Sequence, residues 1–152
     1  MPTTHAELPE VPALKDFLCF AIYSAGHAFN RVYKPLLDAL GLTYPQYLVM
    51  IALWETDDQT VGSLGEKLFL ESSTLTPLLK RLESMGYLTR SRDPSDERQV
   101  RVRLTQAGGE LQAKARDIPS CILEATGFSV DALIKLQKDI SALRANLLKY
   151  EG

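Results

Sequence analysis

The sequence predicts a mainly α-helical chain with a small β-hairpin, and two patterns predict it. Along most of the chain, apolar residues recur at intervals of three and four, as they do on one face of an α-helix. Between residues 87 and 104 they alternate with polar residues instead, which is typical of strands. From residue 61 onward the predicted order is helix, turn, helix, hairpin, which is the order of a winged helix-turn-helix.

The chain is predicted to open with a flexible arm at residues 1–12, which contain three prolines and no apolar run. This composition fits neither a signal peptide nor a membrane anchor. A single domain is expected over residues 13–152, a length that can bury one core. Its first long helix begins at Ala13, is interrupted by Pro35 and stops at Gly41. The apolar stripe of this helix consists of Leu18, Ile22, Ala25, Phe29 and Val32.

Three helices are predicted between the first helix and the hairpin. Thr43 and Pro45 open the first of them. The second begins at Val61, and hydroxyls of the polar break Glu71–Thr74 can cap the third. Gly86 ends the third as a helix-stop glycine. The inward stripe of the third helix is Leu75, Leu78, Leu79, Leu82 and Met85, and its other face shows Thr74, Thr76, Lys80, Arg81 and Ser84.

The hairpin is predicted from the strands Tyr87–Arg92 and Gln99–Leu104, joined by the loop Asp93–Arg98. Residues 72–104 carry seven Lys or Arg against four Asp or Glu, a net charge of +3, while the whole chain carries −2. A basic island in an acidic protein indicates a local phosphate-binding surface, although a solvated hairpin with ordinary surface charge is the alternative. We therefore expect a winged helix-turn-helix over about residues 44–104 that binds double-stranded DNA.

The C-terminal part of the chain is predicted to be helical. Thr105 caps a helix that Pro119 kinks and Gly127 ends, and Ser129 caps the last helix. The buried stripe of the first of these is Leu111, Ala115, Ile118 and Ile122. The last helix carries a near-heptad seam formed by Leu133, Leu136, Ile140, Leu143 and Leu147.

A homodimer is predicted through the terminal helices, at about residues 13–40 and 105–150. Helix-turn-helix proteins commonly use two-fold symmetry to read palindromic DNA, and exposed seams on the terminal helices would supply the interface. The alternative is that these stripes pack within one chain.

Several other classes of protein are not expected. His5 and His27 are far apart, with no Cys or carboxylate at ligand spacing, so we expect no metal site. The sequence has no glycine-rich phosphate loop and no nucleophile elbow, so neither a cofactor nor catalytic residues are expected. The longest apolar run, Phe17–Tyr23, is too short to span a membrane. Two cysteines without a secretion signal indicate a cytoplasmic protein.

Cys19 is the first candidate for chemistry. It lies in the early turns of the first helix, where the helix dipole favours a thiolate. A polar stripe of the same helix contains Cys19, Tyr23, Gly26, Asn30 and Tyr33. Tyr33 lies about 21 Å further along a straight helix, so it cannot reach Cys19 within its own helix. If the two meet, the tyrosine comes from a partner chain or a sharp fold-back; the alternative for Cys19 is a small buried core residue.

The winged unit resembles the MarR family of bacterial transcriptional regulators. The resemblance is carried by Ser73–Glu83, by Gly86-Tyr87-Leu88, and by Asp96-Glu97-Arg98 followed by Val100, Val102 and Leu104. It implies that the second helix of the unit enters the major groove. It also implies that Arg98, steadied by Asp96, enters the minor groove, where negative potential is concentrated. The DNA-contacting residues implied are Ser73, Thr74, Thr76, Lys80, Arg81, Asp96 and Arg98.

The N-terminal half resembles, more narrowly, the organic hydroperoxide resistance regulators of that family. The residues that carry this are Leu18–Tyr23, Tyr33–Leu37 and Leu42–Tyr47. The resemblance implies that Cys19 is the peroxide sensor and that Tyr33 and Tyr44 reach it from the other subunit to stabilise its thiolate.

The same resemblance implies a role for Cys121. This residue lies in the segment where two-cysteine members of the group keep a resolving cysteine. An intersubunit, reversible disulfide between oxidised Cys19 and Cys121 would then release the DNA. A buried, inert thiol is the alternative for Cys121.

The predicted function is a redox-sensing, homodimeric repressor that organic hydroperoxides release from palindromic operator DNA, and not an enzyme. Two alternatives remain at this point. One is a MarR-type regulator that is released by a small aromatic ligand, with Cys19 incidental. The other is a thiol peroxidase in which Cys19 turns over, although the chain lacks a thioredoxin-like βαβ pattern.

Overall fold

A computed structural model describes residues 11–152 and confirms a mainly helical chain with a small antiparallel sheet. The helices are α1 (Leu18–Asp38), α2 (Tyr44–Glu55), α3 (Val61–Leu68), α4 (Ser72–Ser84), α5 (Gln106–Lys114), α6 (Ile118–Thr126) and α7 (Val130–Lys149). The strands are β1 (Gln59–Thr60), β2 (Leu88–Asp93) and β3 (Asp96–Leu104). Of the predicted arm, residues 1–10 lie outside the described residues. From residue 11 onward, no helix is long and apolar enough to cross a membrane.

The sheet has the order β1-β3-β2, with both pairs antiparallel. The strand β1 was not predicted, because two residues are too short to show an alternation. The predicted six-residue loop of the hairpin was wrong, since only Pro94 and Ser95 separate the strands. The turn is this tight because the Asp93 carboxylate accepts hydrogen bonds from both the backbone N–H and the hydroxyl of Ser95. The wing is therefore a longer and stiffer hairpin than the sequence indicated.

The first helix begins later than predicted. Residues Leu14–Asp16 form a separate 3-10 turn, and Phe17 has an extended conformation, so α1 begins at Leu18 and not at Ala13. Cys19 is consequently the second residue of α1 and lies in its first turn, where backbone N–H groups have no partner within the helix.

The predicted interruption at Pro35 was also wrong, because α1 continues through it to Asp38. A proline removes only one backbone donor, and Leu36 and Leu37 in the same turn pack against the core. The stop at Gly41 is confirmed by its φ of 72°, a left-handed conformation that glycine adopts without strain.

Most of the predicted helix caps are confirmed. The Thr43 hydroxyl accepts from the N–H of Gln46 in a capping box, and Thr105 and Ser129 cap α5 and α7. The prediction for α4 was wrong. Glu71 is its N-cap residue and makes no side-chain cap hydrogen bond, and the hydroxyls of Ser72–Thr74 already lie inside the first turn.

The predicted kink at Pro119 was wrong, because the chain forms two separate helices here. The α5 helix ends at Lys114, and α6 begins at Ile118 with the proline in its first turn. A proline is tolerated there because the N–H that it lacks has no helical acceptor. Gly127, with a φ of 68°, ends α6 as predicted.

The core lies in the middle of the chain, beneath the winged unit. Large apolar side chains of α2, α3, α4 and the sheet form it, and α5 covers one side. The fully buried side chains include Met50, Leu53, Leu64, Leu75, Leu79, Leu82, Leu88 and Val102. In residues 11–152, no buried side-chain nitrogen or oxygen lacks a hydrogen-bond partner.

The terminal helices contribute little to this core. Within the described chain, α7 has no buried residue and α1 buries only Leu37. Their apolar stripes lie open to solvent, with Leu18, Phe20, Ile22, Phe29 and Val32 exposed on α1 and Ile134, Leu136, Ile140, Leu147 and Leu148 exposed on α7. A soluble monomer rarely exposes apolar patches of this extent, so packing within one chain does not account for these stripes.

Candidate nucleic-acid interface and thiol site

The predicted DNA-contacting residues of α4 lie together on its outer face. Ser73, Thr74, Lys80 and Arg81 are exposed, and Thr76 is half-buried. Their spacing places them on about half of the helix circumference, opposite the buried leucines. The winged unit therefore presents a polar helix face that is free to enter a groove of DNA.

The turn between α3 and α4 holds these helices close together. A Cβ atom at Gly65 would lie 2.7 Å from the carbonyl oxygen of Leu70, so only glycine fits there without a shift of the backbone. Phe69, the residue that follows the last residue of α3, has a φ of 57°, which is uncommon for a bulky side chain. The pattern of apolar residues indicated the two helices but not this close approach.

Arg98 projects from the wing. Its side chain is 92% exposed, and its backbone N–H and Nε both donate to Asp96 Oδ1, at 3.1 and 3.2 Å. The predicted pairing of Arg98 with Asp96 is thus present in the geometry. An open groove of about 350 Å³ between α4 and the wing is lined by Thr76 and Arg98, among others. The helix face and the wing tip therefore belong to one surface.

Three arginines of the basic segment are held by carboxylates instead of facing solvent freely. Arg90 donates from its backbone and its guanidinium to Glu83, which ties β2 to the end of α4. Arg101 bridges Asp58 and Asp93, at 2.8 and 3.0 Å, and Arg103 also reaches Asp58, at 3.0 Å. We call Asp58, Asp93 and Arg101 the wing brace.

The wing brace changes the electrostatic interpretation of the basic segment. Asp58 lies outside residues 72–104, so the count of +3 omitted an acid that pairs with two of its arginines. The cations of the segment that are not paired with a carboxylate in the described structure are Lys80, Arg81 and Arg92. The positive charge that no carboxylate pairs with thus lies on α4 and near the end of β2. Sequence reasoning missed Asp58 because it lies 43 residues from its arginine partner.

The carboxylates of this network are acidic for a physical reason. Hydrogen bonds from Ser95, followed by that from Arg101, lower the pKa of Asp93 to about 2. The Arg101 and Arg103 guanidiniums lower the pKa of Asp58, and Arg90 lowers that of Glu83. In each case the folded protein stabilises the charged form of the carboxylate more than the unfolded chain does.

This network predicts a loss of stability in acid. A carboxylate with a lowered pKa stabilises the fold above its unfolded pKa, which is about 4 for aspartate, and that contribution is lost as the pH falls towards 2. We expect the urea midpoint of Asp93→Asn to be lower than that of the unmutated protein at pH 7 and to depend less on pH between 5 and 2.5. Glu110→Gln, at an exposed carboxylate of α5, is the control and should keep the unmutated pH profile. Parallel profiles for Asp93→Asn and the unmutated protein would contradict this interpretation.

Tyr33 and Tyr44 are brought together, as the predicted thiolate site requires. Their ring centroids lie 4.7 Å apart, and the Tyr47 ring lies 6.0 Å from that of Tyr33. Burial, with the neighbouring Tyr44 and Tyr47, raises the pKa of Tyr33 to about 12, and burial also raises the pKa of Tyr44. Both phenols are therefore protonated at neutral pH and are able to donate hydrogen bonds.

An open pocket of about 500 Å³ adjoins the two tyrosines. Residues of α1, including His27 and Asn30, line it together with Tyr44 of α2. Gly26 leaves open space beside it, since a Cβ there would meet no other atom within 4 Å. The pocket can admit a group from outside the chain to within reach of the phenol hydroxyls.

The two cysteines are both free and both exposed in the single chain. Neither thiol is buried within the described chain, so the buried alternatives for Cys19 and Cys121 are wrong for a single chain, and the reactivity of the two thiols stays a prediction. Cys19 and Tyr33 lie on one continuous helix, about 21 Å apart at 1.5 Å per residue, so one chain does not bring them together. Cys121 lies near the middle of α6, a helix that packs on α1.

Residues 31–115 match the family model described as transcriptional regulator SarA/Rot. The chain is 45% identical to the organic hydroperoxide resistance transcriptional regulator of Bacillus subtilis, over 88% of this chain and 91% of that protein. The chain belongs to the SarA/Rot family of MarR-fold transcriptional regulators. This regulator is also 46% identical to the HTH-type transcriptional regulator TtmR of Methylorubrum extorquens, over 92% of this chain and 72% of TtmR.

Among solved structures, the regulator is similar to AbfR of Staphylococcus epidermidis. The structure of reduced AbfR bound to DNA is 36% identical, covers 90% of this chain and 96% of AbfR, and has a TM-score of 0.75. The structure of disulfide-formed AbfR is 38% identical, covers 90% and 93% of the two chains, and has a lower TM-score of 0.64. The structure of overoxidised AbfR bound to DNA is 37% identical and has a TM-score of 0.76, so the conformation described here is closer to both DNA-bound forms of that relative than to its disulfide form. The resemblance drawn from the sequence is confirmed.

Proposed function

We propose that this regulator is a homodimeric repressor that leaves its operator when an organic hydroperoxide oxidises Cys19. The observation that carries the proposal is the pair Tyr33 and Tyr44 beside an open pocket on α1, the helix that presents Cys19 in its first turn. One chain contains both Cys19 and the tyrosine pair, but Cys19 and Tyr33 are about 21 Å apart along α1. In a dimer, the tyrosines of each copy meet Cys19 of the other copy.

The unpartnered apolar stripes support the homodimer. Large apolar residues of α1 and α7 lie exposed on the single chain, including Phe29 of α1 and Leu136 of α7. Pairing two copies through these helices buries the stripes and allows Cys19 of one copy to approach the tyrosines of the other. The same symmetry places two winged units side by side for a palindromic operator.

The winged unit supplies the DNA interface. The α4 face, with Lys80 and Arg81, enters the major groove, and Arg98 at the wing tip enters the minor groove. The wing brace and the pairing of Glu83 with Arg90 hold the wing at a fixed position relative to α4. The similarity to AbfR, whose reduced form has been solved on DNA, supports this assignment.

Arg98→Ala tests the wing. We expect the variant to fold normally, because the side chain is 92% exposed, and to bind the operator more weakly by about 1–3 kcal/mol. Fluorescence anisotropy with a labelled operator measures this loss. Arg116→Ala, at an exposed arginine that follows α5, is the matched control and should bind as the unmutated protein does. Equal affinities for Arg98→Ala and the control would remove the wing from the interface.

The chemistry of the signal begins at the Cys19 thiolate. Its sulfur attacks the outer oxygen of the hydroperoxide and the O–O bond breaks. The sulfur becomes a sulfenic acid, and the organic part leaves as an alcohol after taking up a proton. The sulfur loses two electrons and the peroxide gains them. The hydroxyls of Tyr33 and Tyr44 from the second copy donate hydrogen bonds to the thiolate and position it for this attack.

The second step uses Cys121. Its thiol sulfur displaces the hydroxyl from sulfenic Cys19, which forms a disulfide and releases water. Because the Cα atoms of a disulfide lie within about 7 Å, α6 must approach α1 of the other copy. This movement shifts the winged units and releases the operator. A disulfide form of the relative AbfR has been solved, which supports such a step in this family.

The direct test is operator binding before and after treatment with cumene hydroperoxide. We expect the reduced protein to bind a palindromic operator as a dimer, with an affinity that falls steeply as salt rises. Stoichiometric hydroperoxide should release the DNA, and dithiothreitol should restore binding. Binding that does not respond to hydroperoxide would contradict the proposal.

A further inference from the structure

The last helix, α7, contacts two different parts of the chain. Leu133 and Leu136, in its first half, line an apolar cavity of about 350 Å³ shared with Phe29 of α1 and Ile122 of α6. Its second half reaches the turn between α3 and α4, where Arg144 and Phe69 meet. At 1.5 Å per residue, the two contact regions are separated by about 16 Å along the helix. One rigid helix thus connects the thiol-bearing side of the chain to the DNA-reading side.

The contact at the far end is specific. The Arg144 guanidinium carbon lies 4.0 Å from the centroid of the Phe69 ring, which is the geometry of a cation–π interaction. Among residues 11–152, no carboxylate forms an ion pair with Arg144, so the ring is the partner that the structure provides for its charge. Leu148, one turn further along α7, lines a groove beside the same turn, together with Gly65 and Ser72.

Phe69 occupies a position that controls the start of α4. It is the C-cap residue of α3, in a left-handed conformation, and only Leu70 and Glu71 separate it from the first residue of α4. Phe69 remains 54% exposed in spite of the contact of its ring with Arg144, so burial in the core does not explain the left-handed conformation of this residue. A displacement of the Phe69 ring therefore moves the turn between α3 and α4, and with it the start of α4.

At the near end, α7 follows α6 directly. Only Gly127–Ser129 separate the two helices, and Ile122, next to Cys121 in sequence, lines the cavity that Leu133 and Leu136 also line. A movement of Cys121 therefore changes how the first half of α7 packs.

We propose that the contact of Arg144 with Phe69 is a latch through which α7 transmits the oxidation state of Cys121 to α4. The inference rests on the proposed function, because it uses the disulfide between Cys19 and Cys121. The disulfide pulls α6, α7 moves with α6 as one body, and Arg144 displaces the Phe69 turn. The α4 helix then loses its register with the groove. Arg144 and Phe69 are positioning residues, since they act through α4 and not on the DNA.

If the latch exists, its loss should weaken the effect of oxidation on operator binding more than it changes the affinity of the reduced protein. Arg144→Gln keeps the length of the side chain and removes its charge, so α7 no longer displaces the turn. We expect reduced Arg144→Gln to bind the operator within about threefold of the unmutated protein. The ratio of operator Kd in the oxidised and reduced states should fall by at least about fivefold, the lower end of typical allosteric couplings. Disulfide formation on a non-reducing gel should be unchanged.

Three further variants complete the test. Arg144→Lys restores a cation over the ring and should restore most of the ratio, whereas Phe69→Leu should lower it as Arg144→Gln does. The double variant Arg144→Gln/Phe69→Leu should have no larger effect than either single change, because both remove one contact. Lys138→Gln, an exposed change on another face of α7, is the matched control and should leave the ratio unchanged.

Two outcomes would overturn the latch, and each has a distinct origin. If Arg144→Gln and Phe69→Leu form the disulfide and leave the DNA as readily as the unmutated protein, the latch is wrong and the proposed function stands. The latch is also wrong if both variants bind the operator more weakly with an unchanged ratio, since the contact then only supports α4. If the unmutated protein forms its disulfide and stays on the operator, the proposed function itself has failed.

Discussion

Cys19→Ser protein should stay on its operator at a hydroperoxide concentration that releases the unmutated regulator. A serine hydroxyl remains protonated at neutral pH and is a poor nucleophile, so the O–O bond of the peroxide is not attacked at residue 19. Cys19 is exposed and has no packing role in the single chain, so the substitution leaves the fold intact. The measurement is operator anisotropy during titration with cumene hydroperoxide, with thermal unfolding as the check on folding.

The control for this prediction is Ser24→Ala, which lies on the same helix and bonds only to the backbone of α1. It should release the operator as the unmutated protein does. If Cys19→Ser leaves the DNA at the same concentration of hydroperoxide as the control, Cys19 is not the sensor. Release would then require another oxidisable group, and Cys121 would be the first to examine.

Cys121→Ser should abolish the covalent dimer that one equivalent of hydroperoxide produces in the unmutated regulator. The sulfenic acid at Cys19 then lacks the Cys121 thiol, and the one other protein thiol of the dimer is Cys19 of the second copy, because Cys19 and Cys121 are the two cysteines of the chain. On a non-reducing gel, the unmutated protein should run as a dimer that dithiothreitol converts to monomer. Mass spectrometry of the variant should show one added oxygen per chain at low peroxide.

This second prediction separates two kinds of switch. A Cys121→Ser protein that still forms a covalent dimer would place the disulfide between two Cys19 residues and would make Cys121 a bystander. A monomeric, oxidised Cys121→Ser protein that still leaves the operator would show that oxidation of Cys19 alone is sufficient. Only retention of the operator by this variant is consistent with release through the disulfide.

Much of this regulator was determined by local sequence. The order helix, turn, helix, hairpin was readable because apolar spacing and stop residues such as Gly86 and Gly127 act within one or two turns of the chain. The caps at Thr43 and Ser129 were readable for the same reason, since a hydroxyl reaches a backbone N–H three residues away. The distance between Cys19 and Tyr33 also followed from the sequence, because both lie on one helix.

The tertiary structure decided whatever depends on partners far apart in the chain. The strand β1 exists because Gln59 and Thr60 pair with Val102 and Arg101 of β3, and no local pattern marks two residues as a strand. Asp58 joins the wing brace across 43 residues, which converts part of an apparent DNA-binding charge into structural ion pairs. The pairing of Tyr33 with Tyr44 likewise required α1 and α2 to pack.

The ends of α1 and the contact of α7 show the same division. Periodicity extends a helix as far as apolar residues recur, so the predicted start of α1 at Ala13 was too early. The predicted interruption at Pro35 does not occur, because Leu37 packs in the core and holds the last turn of α1 in place. Arg144 and Phe69 are 75 positions apart in the sequence, and neither belongs to a recognisable motif. Sequence by itself determined most helices and strands of this regulator, and it led to the hypothesis about its thiols. Long-range packing alone decided which arginines of the basic segment pair with carboxylates, and it alone placed Arg144 of α7 over the Phe69 ring.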